Sequence, residues 1–249
     1  MDKTLLKGLM LLEALAEQNG RPVTIQTLAE TTGLTRSNAH RTLQTLAHAG
    51  YATRDESTGN YRITFKLFQL GAKQTAQIDV RQFASGEMHR LAELTRETVH
   101  LSILDAADVI YVDKIDSPQP VRAYSELGGR APAYCVATGK VLLAFKGAEY
   151  IARHLKELVQ FSDTTIVDLQ ALKVELARIA VVGYAVNRGE WRKSVGGVAA
   201  PIFDAFGAPV AAIGISGPLE RLSLKRIKEF TPAVQSAASS VSRAMGYRE

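Results

Sequence analysis

The sequence predicts two domains: a small, mainly helical unit ending in a β-hairpin, then a larger α+β unit built on an antiparallel sheet. Three observations predict this. Apolar residues recur at helical spacing through the first 48 residues. Two short alternating segments flank a turn cluster at residues 55–60. From residue 99 onward, paired alternating segments are interleaved with helical ones. A chain of 249 residues has room for one or two domains with a sizeable core.

Residues 4–18 read as the first helix. Leu5, Leu9, Leu12 and Ala16 form a stripe, reinforced by Leu6 and Leu15, and Asn19-Gly20 ends it. Pro22 helps to start the next element. Residues 24–31 form a short second helix, with Thr24 as N-cap and Ile25, Leu28 and Ala29 inward. Gly33 permits a turn with positive φ. A third helix spans about 35–48, with Ala39, Leu43 and Leu46 inward and Ser37, Arg41 and Gln44 outward, flanked by Asn38 and His40. Ala29, Gly33 and Ala39 mark a tight helix-turn-helix: small residues where the helices meet, glycine in the turn. Tyr51 to Arg54 and Tyr61 to Ile63, around Asp55-Glu-Ser-Thr-Gly-Asn60, form a hairpin, the wing of a winged helix.

Residues 65–77 and 80–97 read as helices, with Phe65, Phe68 and Ala72 apolar in the first and Val80, Phe83, Leu91 and Leu94 in the second. The expected boundaries are residues 1–64 for the winged helix-turn-helix, 65–80 for a linker helix and 81–249 for the second domain. There, His100 to Leu104 and Val109 to Val112 are strands joined by a polar turn, and Val121 to Tyr124 is a candidate third. Val195 to Phe203 and Pro209 to Ser216 form a second hairpin. Helices are expected at about 137–145, 148–158, 168–182 and 223–245.

Composition narrows the function classes. Apolar residues make up 46% and charged residues 22%, which excludes global disorder. The lone cysteine, Cys135, excludes an intrachain disulfide and a Cys-based structural zinc site, and suits a reducing cytoplasm. No secretory signal or membrane-spanning run is present: the longest uncharged apolar stretch, Ala205 to Leu219, is broken by three glycines and two prolines. The net charge is +5, and residues 1–75 hold nine Lys/Arg against six Asp/Glu. No acid lies between Glu30 and Asp55, a window holding Arg36, His40, Arg41, His48 and Arg54. Charge alone favours an ordinary solvated helix face. The phasing of the third helix changes that reading. Its outer face carries donors and acceptors and lacks the Glu/Lys pairs of a plain solvated helix, so it points to double-stranded DNA. Thr35 and Arg36 in the first turn, then Ser37, Asn38, His40 and Arg41, are the candidate contacts. Arg36, Arg54 and Arg62 suit phosphates, and Ser37, Asn38, His40 and Arg41 suit base edges.

Several chemistries are excluded. Gly139-Lys140 looks like the end of a phosphate loop, but position 134 is Tyr where the first Gly belongs, and Val141 replaces Ser/Thr. The five histidines show no metal-ligand spacing. Cys135 lies in no nucleophile signature and reads as a packed or pocket-lining thiol. No cofactor and no enzyme activity are expected. An enzyme acting on a small acid is the rival reading, without an acid/base or nucleophile constellation behind it. A non-specific DNA-compacting protein is a second rival, opposed by the large second domain of near-neutral charge.

Four ordered motifs carry a resemblance: Leu34-Thr-Arg-Ser-Asn-Ala-His-Arg-Thr-Leu43; Gly128-Gly-Arg-Ala-Pro132 followed by Ala137-Thr-Gly-Lys-Val-Leu-Leu-Ala144; Gly183-Tyr-Ala-Val-Asn187; and Gly197-Val-Ala-Ala-Pro-Ile-Phe-Asp204 with Ile213-Gly-Ile-Ser-Gly-Pro218. Over nearly its whole length the chain resembles the IclR family of bacterial transcriptional regulators. The resemblance implies a GAF-like second domain that binds an effector, homodimers or homotetramers, and a small organic acid, aromatic or keto, as effector. It implies a ligand-responsive regulator of a catabolic operon acting on a pseudo-palindromic operator, read here as a repressor, with an activator as the alternative. Carried over by motif, the effector site comprises Tyr134, Ala137, Thr138, Asn187, Gly197, Gly214 and Ser216. Relatives often carry Asp at the position of Asn187, some carry Cys at that of Gly197, and some a Ser-x-Ser pair where this chain has Gly214-Ile-Ser216. These departures are expected to make room for a larger or aromatic acid. Ser216, Thr138 and amides at the start of the 137–145 helix suit a carboxylate, and Asn187 a hydroxyl or keto oxygen. In purely structural terms, Ser216 ends a strand, Thr138 caps a helix and Asn187 holds a turn. Trp191, near the Asn187 segment, is a natural fluorescent reporter.

Overall fold

A computed structural model of the chain describes residues 3–18, 20–67, 69–70 and 79–248. The chain divides into two compact units, residues 1–78 and 79–249.

The first unit packs α1 (Lys3–Ala16), α2 (Ile25–Thr32) and α3 (Arg36–His48) against the hairpin β1 (Ala52–Arg54) and β2 (Tyr61–Ile63). The Thr24 hydroxyl caps α2 through the Thr27 amide, and Gly33 closes it at φ 66°. Ala29 and Ala39 are buried where α2 and α3 meet. Leu11, Leu15, Leu28 and Leu43 are fully buried, each contributing about 2 kcal/mol of apolar transfer. One feature is absent from the sequence-based expectation: Val23 exchanges two backbone hydrogen bonds with Tyr61, at 2.8 and 2.9 Å, tying the entry of α2 to the wing. A correction falls on α1. Its buried face is Leu11, Ala14 and Leu15, whereas Leu5, Leu6, Leu9 and Ala16 of the expected inward set are exposed. With leucines on several faces, periodicity leaves the inward one undecided, and packing on α2 and α3 selects it. The expected linker helix at 65–77 falls largely on residues 71–78 and Phe68, outside the described residues.

The second unit is a six-stranded antiparallel sheet in the order β5-β4-β3-β8-β7-β6. The strands are β3 (Thr98–Asp105), β4 (Asp108–Ile115), β5 (Arg130–Pro132), β6 (Ala185–Arg188), β7 (Val195–Phe203) and β8 (Pro209–Pro218). Alternation sends Val99, Leu101, Ala211, Ile213, Ile215, Val198 and Ile202 to one face, under α4 (Val80–Thr95) and the long C-terminal α8 (Leu224–Ala244). The other face meets α5 (Ala137–Leu143), α6 (Ala148–His154) and α7 (Leu169–Val182). The expected strand at Val121 to Tyr124 is not one. The segment follows Pro118 and Pro120, leaves Val121 and Tyr124 exposed, and the edge pairing with β4 goes to β5 instead. On α4 the buried stripe is Ala84, Met88, Leu91 and Thr95, whereas Phe83 and Leu94, apolar as well, are exposed.

Two close contacts lock the second face. A Cβ at Gly139 would overlap the Ala133 carbonyl, so glycine lets α5 press against the turn at Ala133–Cys135. Lys140, 2% exposed, donates from Nζ to both carboxylate oxygens of Glu190 at 2.7 Å. Burial pushes the Glu190 carboxyl above the usual range, against the pull of Lys140.

Gly139→Ala should cost about 1–3 kcal/mol through overpacking. Gly86→Ala, in an exposed stretch of α4 with no atom near the added methyl, should stabilise by about 0.5–1 kcal/mol. Chemical denaturation of both variants checks the contrast. Removing one partner of the buried pair, as in Lys140→Met, should cost about 3–5 kcal/mol, and adding Glu190→Leu should restore most of it. A double variant no more stable than the single one would refute this account of the pair.

Candidate DNA interface and ligand cavity

The outer face of α3 is built by its cap and its phase. Thr35 accepts from the Asn38 amide at 3.3 Å, so its first role is to start the helix. Burial of Ala39 and Leu43 turns Arg36, Ser37, Arg41 and Gln44 outward; Asn38 and His40 are half-buried at the margins. None of Arg36, Arg41, Arg54 and Arg62 forms an ion pair among the described residues. The wing turn is fixed by Asp55, whose Oδ1 accepts from the Ser57 amide at 2.9 Å and the Thr58 amide at 3.0 Å. The Ser57 hydroxyl and these amides hold the Asp55 carboxyl down at about 2. Strand register separates the two wing arginines. Arg62 pairs with Thr53 on one face, while Arg54 pairs with Tyr61 on the other and reaches solvent because β1 ends there.

In the second unit, a cavity opens between the sheet, the start of α5 and the β6–β7 loop. It leaves about 520 Å³ unoccupied by atoms, part of it open to solvent. Six of the seven expected site residues line it: Ala137, Thr138, Asn187, Gly197, Gly214 and Ser216. Tyr134 does not. Its hydroxyl donates to the Val159 carbonyl at 2.8 Å and its ring lies beside that of Phe161, so it is engaged by the 159–161 segment instead. Trp191 is in the lining.

The geometry refines several roles. Asn187 Oδ1 accepts from the Glu190 amide at 3.0 Å, so Asn187 holds the turn, leaving its Nδ2 donor for the cavity. The Glu190 carbonyl accepts from Thr165 at 2.6 Å and Ser162 at 3.3 Å. The α5 helix has only seven residues, which limits its dipole. The glycine departures do not open space: a Cβ at Gly197 would strike the Ile215 carbonyl, and one at Gly214 would lie 2.6 Å from Ala199 Cβ. The neighbouring strands have already closed in.

Sequence reasoning missed His100, Tyr111, Ala123, Ser125 and Arg192, which also line the cavity. Ala123 and Tyr124 belong to the segment misread as a strand, and Ser125 follows it directly; Lys114 Nζ donates to the Ser125 carbonyl at 2.7 Å and Arg192 to that of Tyr124 at 3.1 Å. Arg192 also stacks over Trp191, 4.5 Å from the ring centre. The signal for His100 was its place between Val99 and Leu101: if those face the core, the histidine faces the opposite side of the sheet. Cys135 is buried, and burial pushes its thiol up to about 12, as for a packed, unreactive group. No group of three or more His, Cys, Asp or Glu suited to a metal occurs among the described residues.

Comparison with known proteins joins both halves. Residues 4–56 match the IclR helix-turn-helix domain, and residues 72–243 match the C-terminal domain of bacterial transcriptional regulator IclR. The HTH-type transcriptional regulator KdgR of Escherichia coli is 34% identical over 99% of this chain and 94% of its own length. The transcriptional repressor IclR of Escherichia coli is 32% identical over 98% and 90%. The crystal structure of the repressor BlcR from Agobacterium tumefaciens superposes with a TM-score of 0.80 at 25% identity, covering 99% of this chain and 98% of that one. These relatives are regulators of transcription rather than enzymes. The helix-turn-helix and the α+β unit on one chain, matched along nearly its whole length, place this protein in the IclR family of bacterial transcriptional regulators.

Proposed function

We propose that the chain is a cytoplasmic, ligand-responsive repressor of a catabolic operon that binds DNA as a homodimer or a pair of dimers. The observation that carries the DNA reading is the outer face of α3, where Arg36, Ser37, Arg41 and Gln44 are exposed with no acidic residue among them. Two copies of α3 enter successive major grooves of a pseudo-palindromic operator, with Ser37, Asn38, His40 and Arg41 on base edges. Arg36, Arg54 and Arg62 contact phosphates, the two wing arginines from opposite faces of the hairpin. The exposed leucines of α1, Leu6 at 41% and Leu9 at 48%, supply an apolar surface for a second copy. Repression is supported by the IclR and BlcR relatives, both repressors.

The effector is a small organic acid held in the cavity of the second unit. Arg192, Thr138, Ser216 and the Asn187 amide supply donors on walls that are otherwise largely apolar. An effector acts only by binding unequally to the DNA-competent and incompetent arrangements.

Selection of duplexes from random DNA by the purified protein should yield a site with two-fold symmetry. Three phosphate-binding arginines per chain make about six contacts per dimer, so log K should fall with log salt at a slope of about −5. Arg41→Ala should cost about 1–3 kcal/mol on the selected site and relax its sequence preference, whereas Arg54→Ala should weaken all sequences alike. Enrichment of no common sequence would sink the operator reading. A change of preferred site in Arg54→Ala would reverse the two roles. Titration of Trp191 fluorescence with aromatic and keto acids, followed by operator binding with and without each hit, reads out the effector and its sign.

A further inference from the structure

His100 is buried at 5% exposure on β3, between Lys114 of β4 and Gly214 of β8 in the strand register. Its Nε2 lies 2.6 Å from the Ser216 hydroxyl and its Nδ1 3.3 Å from the Ser125 hydroxyl. The ring leans on Tyr111, 4.8 Å between centres. All four residues line the cavity. No function reading above uses His100 or Ser125.

A neutral imidazole has one donor and one acceptor. Facing two hydroxyls, it donates to one serine and accepts from the other. Only the serine that accepts from the ring keeps its own proton free to point into the cavity. An imidazolium donates from both nitrogens, so both serines accept from it and both hydroxyl protons turn outward. Protonation therefore converts one outward donor into two, and places a positive charge behind them.

We propose that the Ser125–His100–Ser216 chain is the element of the cavity that selects an anionic oxygen, and that His100 takes up one proton from solvent when a carboxylate binds. This rests on the effector reading above and adds to it the group that reads the charge. The balance is simple: the carboxylate brings one negative charge, the proton from water or buffer makes the imidazolium, and the filled cavity gains no net charge. Neighbouring charges set the empty state. Burial, then Lys114, holds the imidazole down at about 4, opposed by Asp116. Lys114 is itself engaged with Asp116 at 3.2 Å and with the Ser125 carbonyl, and Asp116 also faces Arg122 at 3.8 Å. Arg192 stands in the cavity lining near Tyr111. From β8 and the start of α5 only uncharged groups, Ser216, Gly214 and Thr138, reach this lining. A bound carboxylate thus adds a negative charge beside His100 that the empty cavity lacks, and it raises the imidazole in the complex.

The sign follows. The imidazole is raised on binding, so affinity for a carboxylate falls as pH rises, by about tenfold per pH unit between 4 and the histidine value in the complex, and is flat above that value. The probes are acetate and benzoate, with acetamide as the uncharged control, added to the full chain at pH 5.5 to 8. Nitrogen-15 histidine spectra, with His100 assigned from its loss in His100→Gln, report the ring directly. The expected result is a neutral-imidazole pattern in the free protein that becomes imidazolium with acetate or benzoate and stays neutral with acetamide. His100→Gln keeps one donor and one acceptor, and should bind benzoate with an affinity that no longer depends on pH in this range. A Trp191 fluorescence change on benzoate binding while His100 stays neutral overturns the relay and leaves the effector reading standing. No response of Trp191 or His100 to either carboxylate overturns both.

Discussion

The buried ion pair between Lys140 and Glu190 is the constraint on which the cavity depends. Lys140 belongs to α5 and Glu190 to the β6–β7 loop, fifty residues away. Every polar part of Glu190 is used. Its carboxylate takes Lys140, its amide donates to Asn187, and its carbonyl accepts from Ser162 and Thr165. The loop so pinned carries Trp191 and Arg192 into the lining of the cavity. Taking two charges out of water is expensive, and an apolar pair of similar volume serves stability as well or better. What the ion pair adds is position: it fixes the distance between a helix start and a loop that share no backbone hydrogen bonds. Gly139 beside it lets the same helix press against the turn at Ala133–Cys135.

The first unit was legible because its rules are local. Thr24 and Gly33 act within a few residues of themselves, as a cap and as a turn, and each does so in the structure. The hairpin around Asp55 to Asn60 is equally local. The errors there were of orientation. In α1, leucines at positions 5, 6, 9, 11, 12 and 15 leave the helical period ambiguous, and only contact with α2 and α3 chooses the face. The second unit depends on pairings that cross long stretches of sequence. β3 lies against β8, more than a hundred residues on, and the edge strands β5 and β6 are three and four residues long. Nothing in such short segments distinguishes a strand from a loop, and Val121 to Tyr124 carried a better β pattern than Arg130–Pro132 did.

The cavity was half legible for the same reason. Asn187, Gly197, Gly214 and Ser216 come together because β6, β7 and β8 are adjacent, with Gly197 opposite both Asn187 and Ser216. The motif positions sit on those strands or on α5, so a resemblance carried by motifs finds them. His100 and Tyr111 come from strands that no quoted motif covers, and Ser125 from an irregular segment. The expectation of a roomier pocket failed for a physical reason. A missing side chain opens space only if the backbone stays where it was, and here the strands at Gly197 and Gly214 approach until an added Cβ would collide.

Those two facts together determine what the cavity can prefer. Asn187 has given its acceptor oxygen to the turn, leaving a donor. Thr138 bonds to no other side chain among the described residues. Arg192 can only donate, and the serines flanking His100 turn at least one hydroxyl proton outward. The polar lining therefore offers donors from Arg192, Asn187 and its hydroxyls, and acceptors from the hydroxyls alone. A ligand whose own groups only donate, such as a protonated amine, would leave buried donors unpaired at about 1–3 kcal/mol each. A ligand rich in acceptors satisfies them without such losses. Carboxylate and keto oxygens are acceptors of that kind.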